Sequence, residues 1–266
     1  CHNCGASLSF NNFLKQIDTT LHKQYTLEKF KEGHAGGRNF VVEEPEFNFT
    51  KPVFKAKLDL PKASEVPMAK EYLTKRRLDP NKFYFAQKFQ EWTNKQKQTF
   101  DNIVRDECRI VIPLYDTNSE LIGFQGRSLV PNSIKYITVM LNDSKPKIYG
   151  LEKVNEEKPI YIVEGPFDST LVENSVAMCG SDIDIRTFGW SDYIWVFDNE
   201  PRNREINNRI SKVIDRGDKV VIWPSHIMQK DINDMVLSDI DVSSVLQSST
   251  YSGLKAKVKF NNWKKI

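Results

Sequence analysis

Pro159-Ile-Tyr-Ile-Val-Glu-Gly-Pro-Phe-Asp168 is the most informative run of this 266-residue chain. Ile160 to Val163 is a short apolar, β-branched stretch, the pattern of a buried central strand. It ends on a carboxylate, Glu164. Gly165 permits a sharp turn, and Pro166 suits the first turn of a helix, where its missing N–H would have had no partner. Asp168 falls in that first turn. The arrangement sets Glu164 and Asp168 at the carboxyl end of a sheet strand, where open α/β sheets bind ligands.

Two further strand ends carry acids. Tyr193 to Phe197 is apolar and runs into Asp198-Asn199-Glu200-Pro201; Lys219 to Trp223 is followed by Lys230-Asp231-Ile232-Asn233-Asp234 and the helix-like Met235-Val236-Leu237. Asp198 and Glu200, two apart, can point the same way. Several carboxylates at one sheet edge repel one another unless a hard cation sits among them, and Mg²⁺ with bound phosphates is the usual solution. A helix over 167–174, a strand over 175–178 and an amphipathic helix over 202–215 alternate with these strands, which implies a parallel, doubly wound sheet.

These three motifs in this order, VEGPFDS (163–169), VFDNEPRN (196–203) and KDINDM (230–235), resemble the TOPRIM domain of primases and topoisomerases. Their wording is most similar to the DNA primases of T4-like bacteriophages. The resemblance implies an enzyme of the primase type, a nucleotidyltransferase that makes short RNA primers from ribonucleoside triphosphates on single-stranded DNA. Glu164, Asp168, Asp198, Glu200, Asp231 and Asp234 would be its catalytic acids. Glu164, Asp198 and Glu200 would hold Mg²⁺, with Mn²⁺ as the alternative ion. Glu164 would be either a ligand or the base that deprotonates the primer 3′-hydroxyl. Glu200 departs from the commoner pattern, which has Asp there.

Charge is unevenly spread. Residues 51–150 hold 18 Lys/Arg against 11 Asp/Glu, residues 151–245 hold 10 against 18, and the last 21 residues add five lysines and no acid. A basic body beside an acidic sheet suits a polyanion bound on one part and reacting at the other; ordinary solvated surface is the plainer alternative. Within the basic part, Arg109 to Tyr115, a polar turn at Asp116 to Ser119, and Leu121 to Arg127 read as a hairpin, with another strand at Lys135 to Val139. Gly123 and Gly126 either let a backbone approach closely or relieve a twisted strand. By the same resemblance, Arg109, Arg127, Lys135 and Lys147 would line a channel for template and nucleotide, with Lys230 binding nucleotide as well. Pro67 to Arg77 reads as a helix with Pro at its front and bases at its back; Lys75, Arg76 and Arg77 either touch phosphate or end a solvated helix.

At the front, Cys1-His-Asn-Cys4-Gly5 has the spacing of a zinc knuckle, but supplies only half of a tetrahedral site. In the primase resemblance it would be the second half of a zinc ribbon, with Zn²⁺ bound in the intact protein and the first half preceding this sequence. Cys108 and Cys179 sit alone in apolar runs and read as core residues. Apolar positions from Phe13 to Phe30 fit one or two short helices. The resulting organisation is a ribbon remnant and helix (1–32), a linker (33–66), a basic α+β subdomain (67–150), the α/β TOPRIM domain (151–246) and a basic tail (247–266). Within the tail, Gly253 to Phe260 alternates bases with apolar residues, as an edge strand or a nucleic-acid-facing tail would.

A composition of 39% hydrophobic residues supports a real core. No apolar run is long enough to span a membrane and no charged-then-apolar leader is present. The few cysteines do not describe a disulfide scaffold, and a reducing cytoplasm, that of a bacterial host, is expected. Single-stranded DNA, ribonucleoside triphosphates, an RNA primer and a replicative helicase are the implied partners. Two other functions use overlapping features. A TOPRIM nuclease would use the same acids without needing the basic hairpin; a non-catalytic single-strand-binding module would need only the basic part.

Overall fold

A computed structural model of the chain describes residues 9–31, 58–103, 105–180 and 183–266. The Cys1–Cys4 knuckle and linker residues 33–57 lie outside the described residues. Cα packing divides the chain into two units, Cys1–Val53 and Phe54–Ile266. In the first, helices α1 (Phe10–Ile17) and α2 (Thr19–Lys31) follow one another. Ser9 caps α1 by accepting from the Asn12 N–H, and the Asp18 carboxylate accepts from the N–H groups of Thr20 and Leu21 at the start of α2.

The second unit holds two sheets. Helix α3 (Pro67–Lys75) leads into β1 (Tyr84–Ala86) and α4 (Phe89–Gln96), then β2 (Arg109–Tyr115), β3 (Leu121–Ser128) and β4 (Tyr136–Met140). These strands form an antiparallel sheet in the order β1-β2-β3-β4. Strand β2 reads as continuously apolar because both of its faces are covered. Ile110, Ile112 and Leu114 join one buried cluster, while Val111 joins Phe124, Phe89 and Trp92 in another.

The second sheet contains β5 (Ile160–Val163), β6 (Ser175–Ala177), β7 (Tyr193–Trp195), β8 (Lys219–Val221) and β9 (Thr250–Tyr251). Its order is β6-β5-β7-β8-β9, parallel through β8, with β9 antiparallel at the edge. Helices α5 (Pro166–Ser169), α6 (Arg204–Asp215), α7 (Ile232–Leu237), α8 (Val242–Ser248) and α9 (Gly253–Trp263) accompany it. The chain leaves β5 for β6 on one side and returns to β7 on the other, so the strand order reverses between β5 and β7. That reversal opens a crevice at the carboxyl ends of the two strands. Residues of both sheets share one core cluster, including Ile112 and Leu114 from the first and Ile160, Ile162 and Ile194 from the second.

Three expectations change. The helix expected over 167–174 is a single turn, Pro166–Ser169. The buried Ser175 hydroxyl competes for the chain's carbonyls, donating to Ser169 and Val172, and Asn174 turns the backbone at φ 49°. Residues 253–260 form neither a strand nor a free tail: they belong to α9, whose Ala256, Phe260 and Trp263 are buried on one helical face. Residues 58–66, expected at the end of the linker, are packed, with Ala63 fully buried and Lys62 bridged to Tyr84.

Candidate active site

The reversal between β5 and β7 aims both strand ends into one cleft of about 360 Å³. Its acidic wall carries Glu164 after β5, Asp168 in α5, Asp198 past β7 and Asp231 at the start of α7. Its basic wall carries Arg76 from the end of α3, Arg127 from β3 and Lys135 beside β4. Gln125 and Thr138, and Arg127 and Tyr136, are directly opposed cross-strand pairs, so alternate residues of β3 and β4 present one polar face to the acids.

Burial, and after it neighbouring acids, raises the pKa of Asp168, Asp198 and Glu164. Burial, the Asp231 carboxylate and Glu164 push the Asp168 carboxyl up to about 7, against the pull of the Asn233 N–H and Lys135. Burial, Glu164, Asp168 and Asp231 push Asp198 up to about 7 as well. Burial also raises Glu164, although the Arg209 guanidinium, 3.0 Å away, works against it. The Asn233 N–H donates to Asp168 at 3.0 Å, and the buried Asn233 amide exchanges two hydrogen bonds with Arg76: the guanidinium donates to Oδ1 at 2.9 Å, and Nδ2 donates to the Arg76 carbonyl at 2.7 Å. Thus α7 is tied both to an acid and to the base facing it. Asp231 caps α7, accepting from the Asp234 N–H at 2.8 Å.

On the basic wall the guanidinium carbons of Arg76 and Arg127 lie 5.1 and 6.0 Å from the Tyr72 ring centroid, and that of Arg127 lies 4.9 Å from Tyr136. Aromatic faces hold both cations without neutralising them. Burial pushes the hydroxyl of the half-buried Tyr136 up to about 12, so it stays neutral.

Other expected site residues lie elsewhere. Glu200 lines a different cavity and pairs with Lys230 at 3.1 Å. Asp234 is exposed on α7. Lys147 lines a separate, more apolar pocket with Phe188 and Ile183. Arg109 is fully buried: it donates to the Gly126 carbonyl at 2.9 Å and pairs with Glu107, which also accepts from Ser133. Its side chain holds the hairpin together and does not reach the cleft. Sequence reasoning passed over Gln125, Tyr136 and Asn233. Period-two reading of β3 and β4 outward from Arg127 would have found the first two. Arg209, four residues past Glu205 in an amphipathic helix, carried no signal of its partnership with Glu164.

Among the described residues, no three acid, cysteine or histidine side chains converge tightly enough to cage a metal ion. The donor set nonetheless fits Mg²⁺, which keeps most of its waters and takes one or two carboxylates, the remaining ligands coming from substrate phosphates. Carboxylates lifted to about 7 by burial and, after it, by one another are a site short of positive charge.

No protein-family model matches the chain. Over its whole length it is 30% identical to the DNA primase of Enterobacteria phage T4, covering 81% of that protein. Its fold is similar to the zinc-binding and RNA polymerase domains of Aquifex aeolicus primase, with a TM-score of 0.54 at 21% identity, over 70% of this chain and 57% of that one. It is also similar to a DnaG primase catalytic domain bound to single-stranded DNA, with a TM-score of 0.53 at 17% identity, over 71% of this chain and 76% of that one.

Proposed function

The chain belongs to the DNA primase family, and from that premise we propose that its cleft joins ribonucleotides into short RNA primers on single-stranded DNA during phage replication. The observation that carries this reading is the confrontation, across one cleft, of four carboxylates with Arg76, Arg127 and Lys135. A nuclease needs the acids alone. A reaction that must hold a triphosphate and a template backbone beside those acids needs the cations as well.

In this mechanism Arg127 and Lys135 bind phosphate oxygens of template or nucleotide, and Arg76, fixed by Asn233, extends the same surface. Glu164 either accepts the proton of the primer 3′-hydroxyl or shares in metal binding with Asp198. Asp168, oriented by the Asn233 N–H, would hold a proton when neutral and would help the other acids hold Mg²⁺ when ionised. When bound, Mg²⁺ supplies polarisation of the α-phosphoryl group and charge neutralisation of the pyrophosphate. Glu200 acts from behind this centre: it steadies Lys230, whose ammonium lowers the Asp198 pKa.

Cys1 and Cys4 would contribute half of a zinc ribbon. Contact with a replicative helicase and work in the bacterial cytoplasm follow from the same family reading; no helix among the described residues is long and apolar enough to cross a membrane. The test is to supply one labelled single-stranded template with ribonucleoside triphosphates and Mg²⁺. Template-dependent RNA of a few nucleotides, with the template intact, is expected. Template cleavage without incorporation would replace this reading with the nuclease.

A further inference from the structure

The turn after β7 has two sides. Asp198 lines the cleft, whereas Glu200, two residues on, lines a second and larger cavity of about 860 Å³. Arg202, Tyr251, Lys259, Asn262 and Lys265 also line it. Three cations thus face one carboxylate, and that carboxylate is already engaged by Lys230. Arg202 and Lys265 have no carboxylate partner among the described residues. Of the five lysines in the last 21 residues, only Lys257 has one, Asp215 at 3.0 Å. Lys259 lies 5.5 Å from the Tyr251 ring centroid, so a cation and a flat aromatic stand together in the wall.

The cavity is built onto the active-site turn. Asn199, between Asp198 and Glu200, accepts from the Trp263 indole N–H at 2.9 Å and donates to the carbonyls of Ile227 and Gln229 at 2.9 and 3.0 Å. The Lys265 N–H donates to the Pro201 carbonyl at 2.9 Å. The end of α9 is therefore clamped to the same few residues that carry Asp198. Unpaired cations, an aromatic face and side-chain amides are the chemistry that binds phosphate and base together.

We propose that this cavity is a second binding site, distinct from the cleft, for a nucleoside phosphate unit. The unit would come either from a single strand passing the Asp198 turn or from a free nucleotide.

The test uses the full chain without metal, so its outcome does not depend on whether the cleft makes primers. Binding of a fluorescent ten-residue oligothymidylate and of ATP is measured for the parent, for Arg202→Ala/Lys259→Ala/Lys265→Ala, and for a control with three exposed lysines elsewhere replaced, Lys70→Ala/Lys82→Ala/Lys95→Ala. Circular dichroism establishes that each variant is folded; Lys259→Glu alone serves if the triple variant is not. Loss of three phosphate contacts should flatten the salt dependence of oligonucleotide binding by about 2 log–log units and weaken it severalfold at moderate salt, with a smaller change in the control. Loss for the oligonucleotide alone identifies a strand as the source; loss for ATP too identifies a free nucleotide. Unchanged binding of both ligands, or an equal loss in the control, would overturn the proposal.

Discussion

Asp168 and Asp198 keep their protons in the folded chain up to about pH 7, whereas an unfolded aspartate releases its proton near 3.8. Between those values the folded state binds more protons, so these groups make stability fall as pH rises from about 4 to about 7. Asp198→Asn removes one of them. The variant should match the parent at pH 4 and exceed it at pH 8 by something on the order of 4 kcal/mol, read from urea midpoints at the two pH values. Equal midpoints at pH 8 would mean that the carboxyl is not crowded. Arg109 gives the opposite kind of test. Its guanidinium is buried against Gly126 and Glu107, so Arg109→Ala should cost roughly 3–5 kcal/mol by leaving those partners unmatched. A variant of unchanged stability with weakened template binding would return Arg109 to the channel. From sequence both arginines of the hairpin were candidates for the channel. What separates them is register: Arg109 pairs with Ser128 at the open end of the β2–β3 hairpin, while Arg127 faces Tyr136 across β3 and β4.

Glycine and helix placement decide matters at the level of the elements. A Cβ on Gly126 would come within 2.5 Å of the buried Phe89 ring and 3.0 Å of the Arg109 side chain. A Cβ on Gly123 would meet the Val139 carbonyl at 2.6 Å. Both glycines therefore let neighbours approach closely, Gly126 allowing α4 to pack on the hairpin. Gly126→Ala should destabilise by about 1–3 kcal/mol through overpacking, visible as a lower thermal midpoint; an unshifted midpoint would deny the close approach. The strand motifs were legible because each is a short apolar run closed by acids, and β5 begins and ends where its composition changes. Helix α9 was not. Over 253–260 its lysines alternate with apolar residues at period two, and the helical face appears only when Trp263 is added to Ala256 and Phe260. Packing of that face against α6 and β8 outweighs the local alternation.

Across the whole molecule, the cleft exists because residues distant in sequence share one core. Arg76 reaches Asn233 across 157 positions, a pairing that no local pattern carries. The order of the three acidic motifs could be read from sequence; which acids face the cleft could not, since that depends on how each turn leaves its strand. The turn after β7 sends Asp198 into the cleft and Glu200 away from it. Segregation of charge between residues 51–150 and 151–245 becomes, in the folded chain, two walls of one groove. Replacing Arg127 or Lys135 on the basic wall should therefore act on binding and leave folding intact. Arg127→Ala and Lys135→Ala should each lower the log–log salt slope of single-stranded DNA binding by about 0.7, as measured by anisotropy titrations at several salt concentrations. An unchanged slope in both would move the template path off this wall.

Everything converges on the carboxylates at the strand reversal, and Asp198 stands at its centre, raised by burial and by Glu164, Asp168 and Asp231 together. The decisive measurement is ribonucleotide incorporation on a single-stranded template in Mg²⁺ by folded Asp198→Asn, beside the parent chain. A drop of at least about 100-fold is predicted, because positioned charge of this kind contributes on that scale to phosphoryl transfer. Incorporation within a few fold of the parent, by a variant whose fold is intact, would contradict the assignment of this cleft as the site of primer synthesis.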